Sequence, residues 1–351
     1  SRGLGDVYKR QALLLCVIAA ADAFACSRVV YLGDAPQSYV LVGRTLDWRT
    51  PIPTNLYVYP RGMERQSMSD GPMLRWTSRY ASVLAVGYDG GVTEGMNEKG
   101  LVMNGLFCKE AVYTVADSTD NVTPVMSLSV LVSYFLDNFA TVDEAEAWLN
   151  DNEFAIAGKS FDGGTATLLH WAMTDRSGMT LLLEYAGGKL TLFKGRELQV
   201  LTNDPLFTQM QSIEKYWQGV GGTNMLPGTV KSADRFVRAS FFVHHVPTNF
   251  DYHSAWGSIS SIMGTVSVPY GYELPGEPNV SSTQWRSIAD LGGLKYYLKF
   301  ADSTSDFWID LEKLLLNPGD PVLKLDTKNH FDFSGCVNDR LKVSKPFTPM
   351  W

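Results

Sequence analysis

The residue best equipped for chemistry in this chain is Cys26, which follows Ala23-Phe24-Ala25. Ala12 to Ala21 is an unbroken apolar run, preceded by Lys9 and Arg10 and followed by small residues ending in A-x-A. A basic segment, a short apolar segment and a small-residue cleavage site make up a secretory signal peptide. Cleavage after Ala25 makes Cys26 the first mature residue, with a thiol and a free α-amine on one residue. The thiolate is the attacking form, and at an unperturbed pKa of about 8.5 only a few per cent is ionised at neutral pH. An α-amine, with a pKa of about 7.7–8.0, accepts a proton near working pH without help from histidine. Nucleophile and base therefore arrive together when the leader is removed. Two other readings stand beside this one. In a lipoprotein signal Cys26 is lipidated and chemically inert, although Phe24 sits badly where such signals place small residues. In the third, Cys26 is an arbitrary first residue of an exported protein.

Four further residues have types that suit a thiol nucleophile. Cys26 opens a strand-like CSRVVYLG, and SYVLVGRTLDW returns from a GDAPQ turn, so Arg44 and Asp47 are carried back towards Cys26. They lie three apart, and the two-residue period of a strand puts them on opposite faces unless a bulge or the strand end intervenes. A structural salt bridge is their plain reading. Asn203, in LTNDP, follows a strand and precedes Pro205, a usual place for a turn-forming Asn. Arg235, in SADRF, heads a helix-like run and reads on its own as a surface arginine. His244, His245 and His253 carry no HExxH or carboxylate spacing, and His170 reads as a satisfied core histidine. No metal and no cofactor is expected.

The elements that must position these residues belong to an ordinary globular protein. Hydrophobic residues make up 45% of the 351 and charged residues 19%, enough for a sizeable core. A net charge of −7 with no Lys/Arg block argues against nucleic acid or an anionic membrane as partner. No apolar run approaches the length of a membrane span. Residues 1–11 begin without Met and read as an assembly scar, so the expected organisation is 1–25 removed and 26–351 one domain. Beyond the leader the cysteines are Cys26, Cys108 and Cys336; the odd number leaves a thiol unpaired, and Cys108 and Cys336 either pair or sit in the core. Asn121 and Asn279 open glycosylation-type triplets.

Along the chain, Asn55–Met63, Ser82–Gly91 and Leu101–Phe107 read as strands, with GMNEKG as a turn-rich link. Val125–Asn138 reads as a helix apolar on almost every face, hence sandwiched. Thr141-Val-Asp-Glu144 is a capping box opening a second helix that ends near Asn150. Three strands follow, in TATLLHWAM, MTLLLEYA and KLTLFKG; residues 233–246 and 254–263 read as helices, and TQWRSIADL and LKYYLKF as strands. Strands, helices, strands, helices, strands indicate a layered α+β fold rather than a doubly wound parallel sheet.

At this point the sequence resembles the choloylglycine hydrolase family, which contains penicillin V acylases and conjugated bile salt hydrolases. Five blocks match in order: Cys26 with GRTLDW (Gly43 to Trp48), GMNEKGL (Gly95 to Leu101), LHWAMTD (Leu168 to Asp175), LTNDP (Leu201 to Pro205) and SADRF (Ser232 to Phe236). The resemblance implies a four-layer αββα sandwich of the N-terminal-nucleophile type and hydrolysis of a linear N-acyl amide through a thioester on Cys26. It also implies roles: Arg44 supports the thiolate, Asp47 hydrogen-bonds the α-amine, the Asn203 amide donates to the oxyanion, and Arg235 completes the charge network. Phe107 stands where many bile salt hydrolases have Asn and some penicillin acylases Tyr; it keeps a backbone N–H but has no polar side chain. Trp48, as part of an acyl pocket, and the short segment between Asn203 and Arg235 resemble the Gram-negative branch. The implied substrate is a small-molecule N-acyl amide, and the implied assembly a homotetramer.

Overall fold

A computed structural model describes residues 25–34, 38–68, 71–113, 123–158, 166–275 and 281–350. The residues before Ala25, where a leader is expected, and Asn121 and Asn279 lie outside the described residues. Two large sheets form the body. The first has the strand order Val200–Leu201, Ala25–Leu32, Val40–Trp48, Ser282–Asp290, Lys295–Phe300, Phe307–Asp310, Gly335–Cys336. The second has nine strands, with Val102–Phe107 flanked by Gly91–Asn97 and Leu169–Thr174 near its middle.

Side-chain parity decides what lies on each face. From the two strands of the opening hairpin, Val30, Val42 and Leu46 point at the second sheet and pack on Leu56, Val58, Val83 and Met96. The alternate residues Val29, Tyr31 and Leu41 point the other way, under helices Ser232–His245 and Tyr252–Thr265. On the far side of the second sheet, helices α1 (Leu131–Asn138) and α2 (Val142–Asp151) cover Leu84, Met103, Trp171 and Leu183. The result is the expected αββα layering. Three more helices complete the described set: α3 (Phe207–Val220), α4 (Ser232–His245) and α5 (Tyr252–Thr265). Gly43 is required for the α5 contact, because a Cβ there would stand 2.6 Å from Met263 Cγ. No helix among the described residues is long and apolar enough to cross a membrane.

Several local expectations need correction. Val125–Ser127 is not the start of α1 but a short strand paired with Ala155–Ala157; the helix begins at Leu131, and every residue from Leu131 to Asp137 is buried. GMNEKG is not simply a turn, since Gly91–Asn97 is a core strand and only the residues after it turn. Phe207–Val220 was not foreseen; it buries only Phe207 and Met210, so it carries little of the apolar stripe that marks a helix. The Thr141 cap is present, its Oγ1 accepting from Glu144 N at 3.2 Å, while Glu144 Oε2 reaches one residue further back and accepts from Ala140 N. Cys108 is buried as a core cysteine, but Cys336 is exposed and both are free, because Cys336 lies in a two-residue edge strand.

Candidate active site

Cys26 stands near the start of its strand, opposite Leu46, and Arg28 stands opposite Arg44. Parity therefore turns Arg44 into the gap between the sheets. There its Nη2 donates to Gly105 O at 3.0 Å and lies 3.7 Å from Cys26 Sγ. Its other nitrogen, Nη1, is paired with Glu94 Oε2 at 3.2 Å, and the guanidinium lies over the Trp285 ring at 4.8 Å. Glu94 is fully buried in the second sheet. Its carboxylate also accepts from Asn104 Nδ2, Ser287 Oγ and Tyr296 OH, so three hydrogen bonds and one ion pair from both sheets converge on it. Arg28 lies beside this cluster, donating to Asn104 Oδ1 and Thr174 Oγ1; burial, the largest influence, lowers its pKa to about 9 against the attraction of Glu94.

Asp47 faces the other way. Its Oδ2 accepts from Thr45 Oγ1 at 2.9 Å and its Oδ1 from Thr283 Oγ1 at 2.6 Å. Thr45 shares the Asp47 face by the two-residue period, and Thr283 is brought opposite Asp47 just before the register shift at Thr283/Trp285. Burial raises the Asp47 carboxyl to about 6, against the opposing pull of Arg235. Arg235 reaches the same face from α4. Its Nη1 donates to Cys26 O at 2.6 Å and to Ser27 Oγ, and its Nη2 donates to Asn203 Oδ1 at 2.7 Å. Burial lowers its pKa, while Asp47 and Cys26 oppose that shift. It is one of the most completely buried side chains, not a surface arginine.

Asn203 closes the constellation. Its Oδ1 accepts from Cys26 N at 2.6 Å as well as from Arg235, and its Nδ2 donates to Phe107 O at 2.7 Å. The backbone N–H of Cys26 thus donates to Asn203. Two threonines hold the Asp47 carboxylate, and Asn203 follows a strand directly paired to Cys26's own. One Nδ2 hydrogen of Asn203 is taken by Phe107 O, which leaves the second for another acceptor.

Cys26, Arg44 and Asp47 line a cleft whose other walls are mainly apolar, among them Leu46, Trp48, Ile52, Val92, Phe107 and Leu169. Trp48 and Phe107 meet edge to face, with centroids 5.8 Å apart. Among the described residues no group of His, Cys, Asp and Glu could hold a metal ion. His244 and His245 cap the end of α4, each bonded to a carbonyl four residues back. All five polar residues singled out in the sequence, with Trp48 and Phe107, therefore meet at one place. The sequence did not point to Glu94, Ser287 and Tyr296 behind Arg44, or to Thr45 and Thr283 behind Asp47. Of these, Thr45 was readable, as a hydroxyl two residues from an acid on one strand face.

Known proteins fit this picture. A profile described as linear amide C–N hydrolases, choloylglycine hydrolase family, matches residues 26–324. A penicillin V acylase of Pectobacterium atrosepticum is 37% identical over 95% of this chain and 94% of its own. A bile salt hydrolase/transferase of Clostridium perfringens is 27% identical over 78% of this chain and 89% of its own. The solved penicillin V acylase of Agrobacterium tumefaciens superposes with a TM-score of 0.84 at 42% identity, covering 93% of this chain and 99% of that one.

Proposed function

The chain belongs to the choloylglycine hydrolase family of linear amide C–N hydrolases, and on that premise we propose an exported cysteine amidase with Cys26 as nucleophile and its freed α-amine as base. The observation that carries this reading is the packing around Cys26. A guanidinium lies 3.7 Å from the sulfur, and the residue's own nitrogen is held on Asn203 at 2.6 Å. Buried together here are the guanidiniums of Arg28, Arg44 and Arg235 and the carboxylates of Asp47 and Glu94.

In this reading Sγ attacks the amide carbonyl carbon, and the negative charge that develops on oxygen meets the second Nδ2 hydrogen of Asn203 and the backbone N–H of Phe107. The C–N bond breaks as the α-ammonium gives its proton to the leaving nitrogen. Water, deprotonated by the same amine, then attacks the thioester and releases the carboxylic acid and the thiol. From the helix face Arg235 holds the Cys26 carbonyl and Asp47 holds Thr45, which accepts from Ser27 N; Arg44 serves the sulfur from the inter-sheet face. The apolar cleft takes the acyl half, with Trp48 and Phe107 gripping an aromatic or long aliphatic group. Phenoxymethylpenicillin, an N-acyl homoserine lactone and a glycine- or taurine-conjugated bile acid are the three substrates of that shape. The first is favoured by the 37% identical relative. The same reading makes 26–351 one catalytic domain, assembled as a homotetramer, with no cofactor and no nucleic-acid partner.

Initial rates on these three amides test it. Turnover of at least one, abolished in Cys26→Ala, is expected. Absence of turnover with all three, together with a lipid-modified Cys26, identifies a lipid-anchored binding protein instead.

A further inference from the structure

One buried titratable pair has no place in the mechanism above. His170, in the second sheet, is fully buried and has an acceptor at each ring nitrogen: Nε2 lies 2.7 Å from Thr202 O and Nδ1 lies 3.3 Å from Glu184 Oε1. A carbonyl oxygen can only accept, so Nε2 carries a proton. Glu184 in turn accepts the N–H of Phe207, at the first turn of α3, on both its oxygens at 3.0 and 3.1 Å. Those contacts favour the carboxylate, so Nδ1 donates as well and the ring is an imidazolium. Burial opposes that charge, but hydrogen bonds with Cys108 and Glu184 outweigh it and push the ring's pKa up to about 10.

What the ring touches matters more than its charge. Thr202 precedes Asn203, and Cys108 follows Phe107. These two segments, one from each sheet, are joined by Asn203 Nδ2 to Phe107 O at 2.7 Å and by Lys109 N to Asp204 Oδ1. His170 links both of them: its ring holds Thr202 O, and its own strand, Leu169–Thr174, pairs with that of Phe107, Leu169 standing opposite Phe107. We infer that His170, held by Glu184, is a positioning residue that sets the separation of Asn203 and Phe107 and so aims the donors that receive the oxyanion. The inference rests on the amidase reading. It assigns His170 no contact with substrate. It also separates the oxyanion side of the site, which His170 braces, from the sulfur side, which Arg44 and Glu94 brace.

That separation supplies the test. His170→Gln and Glu184→Gln are compared with wild type in two assays on the folded enzyme: steady-state hydrolysis of its best amide, and alkylation of Cys26 by iodoacetamide. Alkylation needs the thiolate but no oxyanion donor. Loss of one well-aimed donor costs about 10²–10³ in rate, and a misplacement near 1 Å about 10². Both variants are expected to lose about 10²-fold in kcat, with KM within about threefold and alkylation within about twofold of wild type. Parallel loss in both assays makes His170 a plain core residue and overturns the inference, as does unchanged kcat. If His170→Gln does not fold, Glu184→Gln decides by the same criteria, because it keeps the ring and removes the charge that fixes it. A wild type that hydrolyses no amide is a different result: it refutes the amidase reading, and this inference with it.

Discussion

Glu94 offers the sharpest quantitative test of how the two sheets hold the site. Its carboxylate is buried beside Arg44, with which it pairs, and accepts from Asn104, Ser287 and Tyr296. At the observed 3.2 Å, the Coulomb attraction to Arg44 is about 5 kcal/mol at an effective dielectric of about 20. In Glu94→Gln the amide oxygen keeps some of these partners, while the new NH₂ faces others and Arg44 is left as an uncompensated buried cation. Breaking one side of a buried pair costs about 3–5 kcal/mol, and that is the expected loss in urea unfolding, read as a shifted midpoint at constant slope. Ser287→Ala and Tyr296→Phe each remove a single hydrogen bond and are expected to cost about 1 kcal/mol. Arg44 keeps its bond to Gly105 O, so Glu94→Gln folds but turns over about tenfold more slowly, in line with the loss from a misplaced charged group. A loss under about 1 kcal/mol with unchanged kcat would refute the claim that Glu94 anchors Arg44.

Asp47 gives a pH signature. Folding raises its pKa from 3.8 to about 6, so the stability it contributes is fully present below about pH 4 and is lost as pH rises through 6. The shift corresponds to about 3 kcal/mol, and Asp47→Asn should flatten the stability profile between pH 4 and 6. The carboxylate form faces Arg235, so the acid limb of kcat/KM is expected near pH 6 and should disappear from the residual activity of Asp47→Asn. Trp48→Ala and Phe107→Ala each remove an apolar wall and one half of an edge-to-face pair. KM for the acyl amide should rise about 10–100-fold with kcat nearly unchanged, in steady-state assays. Thr141→Ala deletes the α2 cap and should cost about 1 kcal/mol in urea unfolding without touching activity.

The site was more legible than the scaffold behind it, and the reason is the range over which each feature is encoded. Arg44 and Asp47 share one strand with a fixed two-residue period, so their opposite facing could be read directly; they meet Cys26 from the two sides of its sheet. The capping box at Thr141 and the helix carrying Arg235 were likewise local patterns. The contact of Cys26 N with Asn203 spans 177 positions, and no local periodicity encodes which polar residue arrives there. Glu94 stood as a lone acid in an apolar strand, a signal of burial with a partner, but the partners come from strands far apart in sequence. The α3 helix was hidden because its exposed surface is mostly polar and only Phe207 and Met210 are buried. Val125–Ser127 looked helical because its apolar residues run on into α1, while its strand partner lies about thirty residues on.

The central claim is that Cys26, at a freed N-terminus, carries the acyl group during turnover. It is tested most directly by intact mass of the exported protein, acid-quenched during hydrolysis of phenoxymethylpenicillin. The expected result is a chain beginning at Cys26 that gains the mass of one acyl group, with no gain in Cys26→Ala. A chain that keeps the residues before Cys26, or carries lipid there, and hydrolyses the amide without an acyl adduct would contradict it.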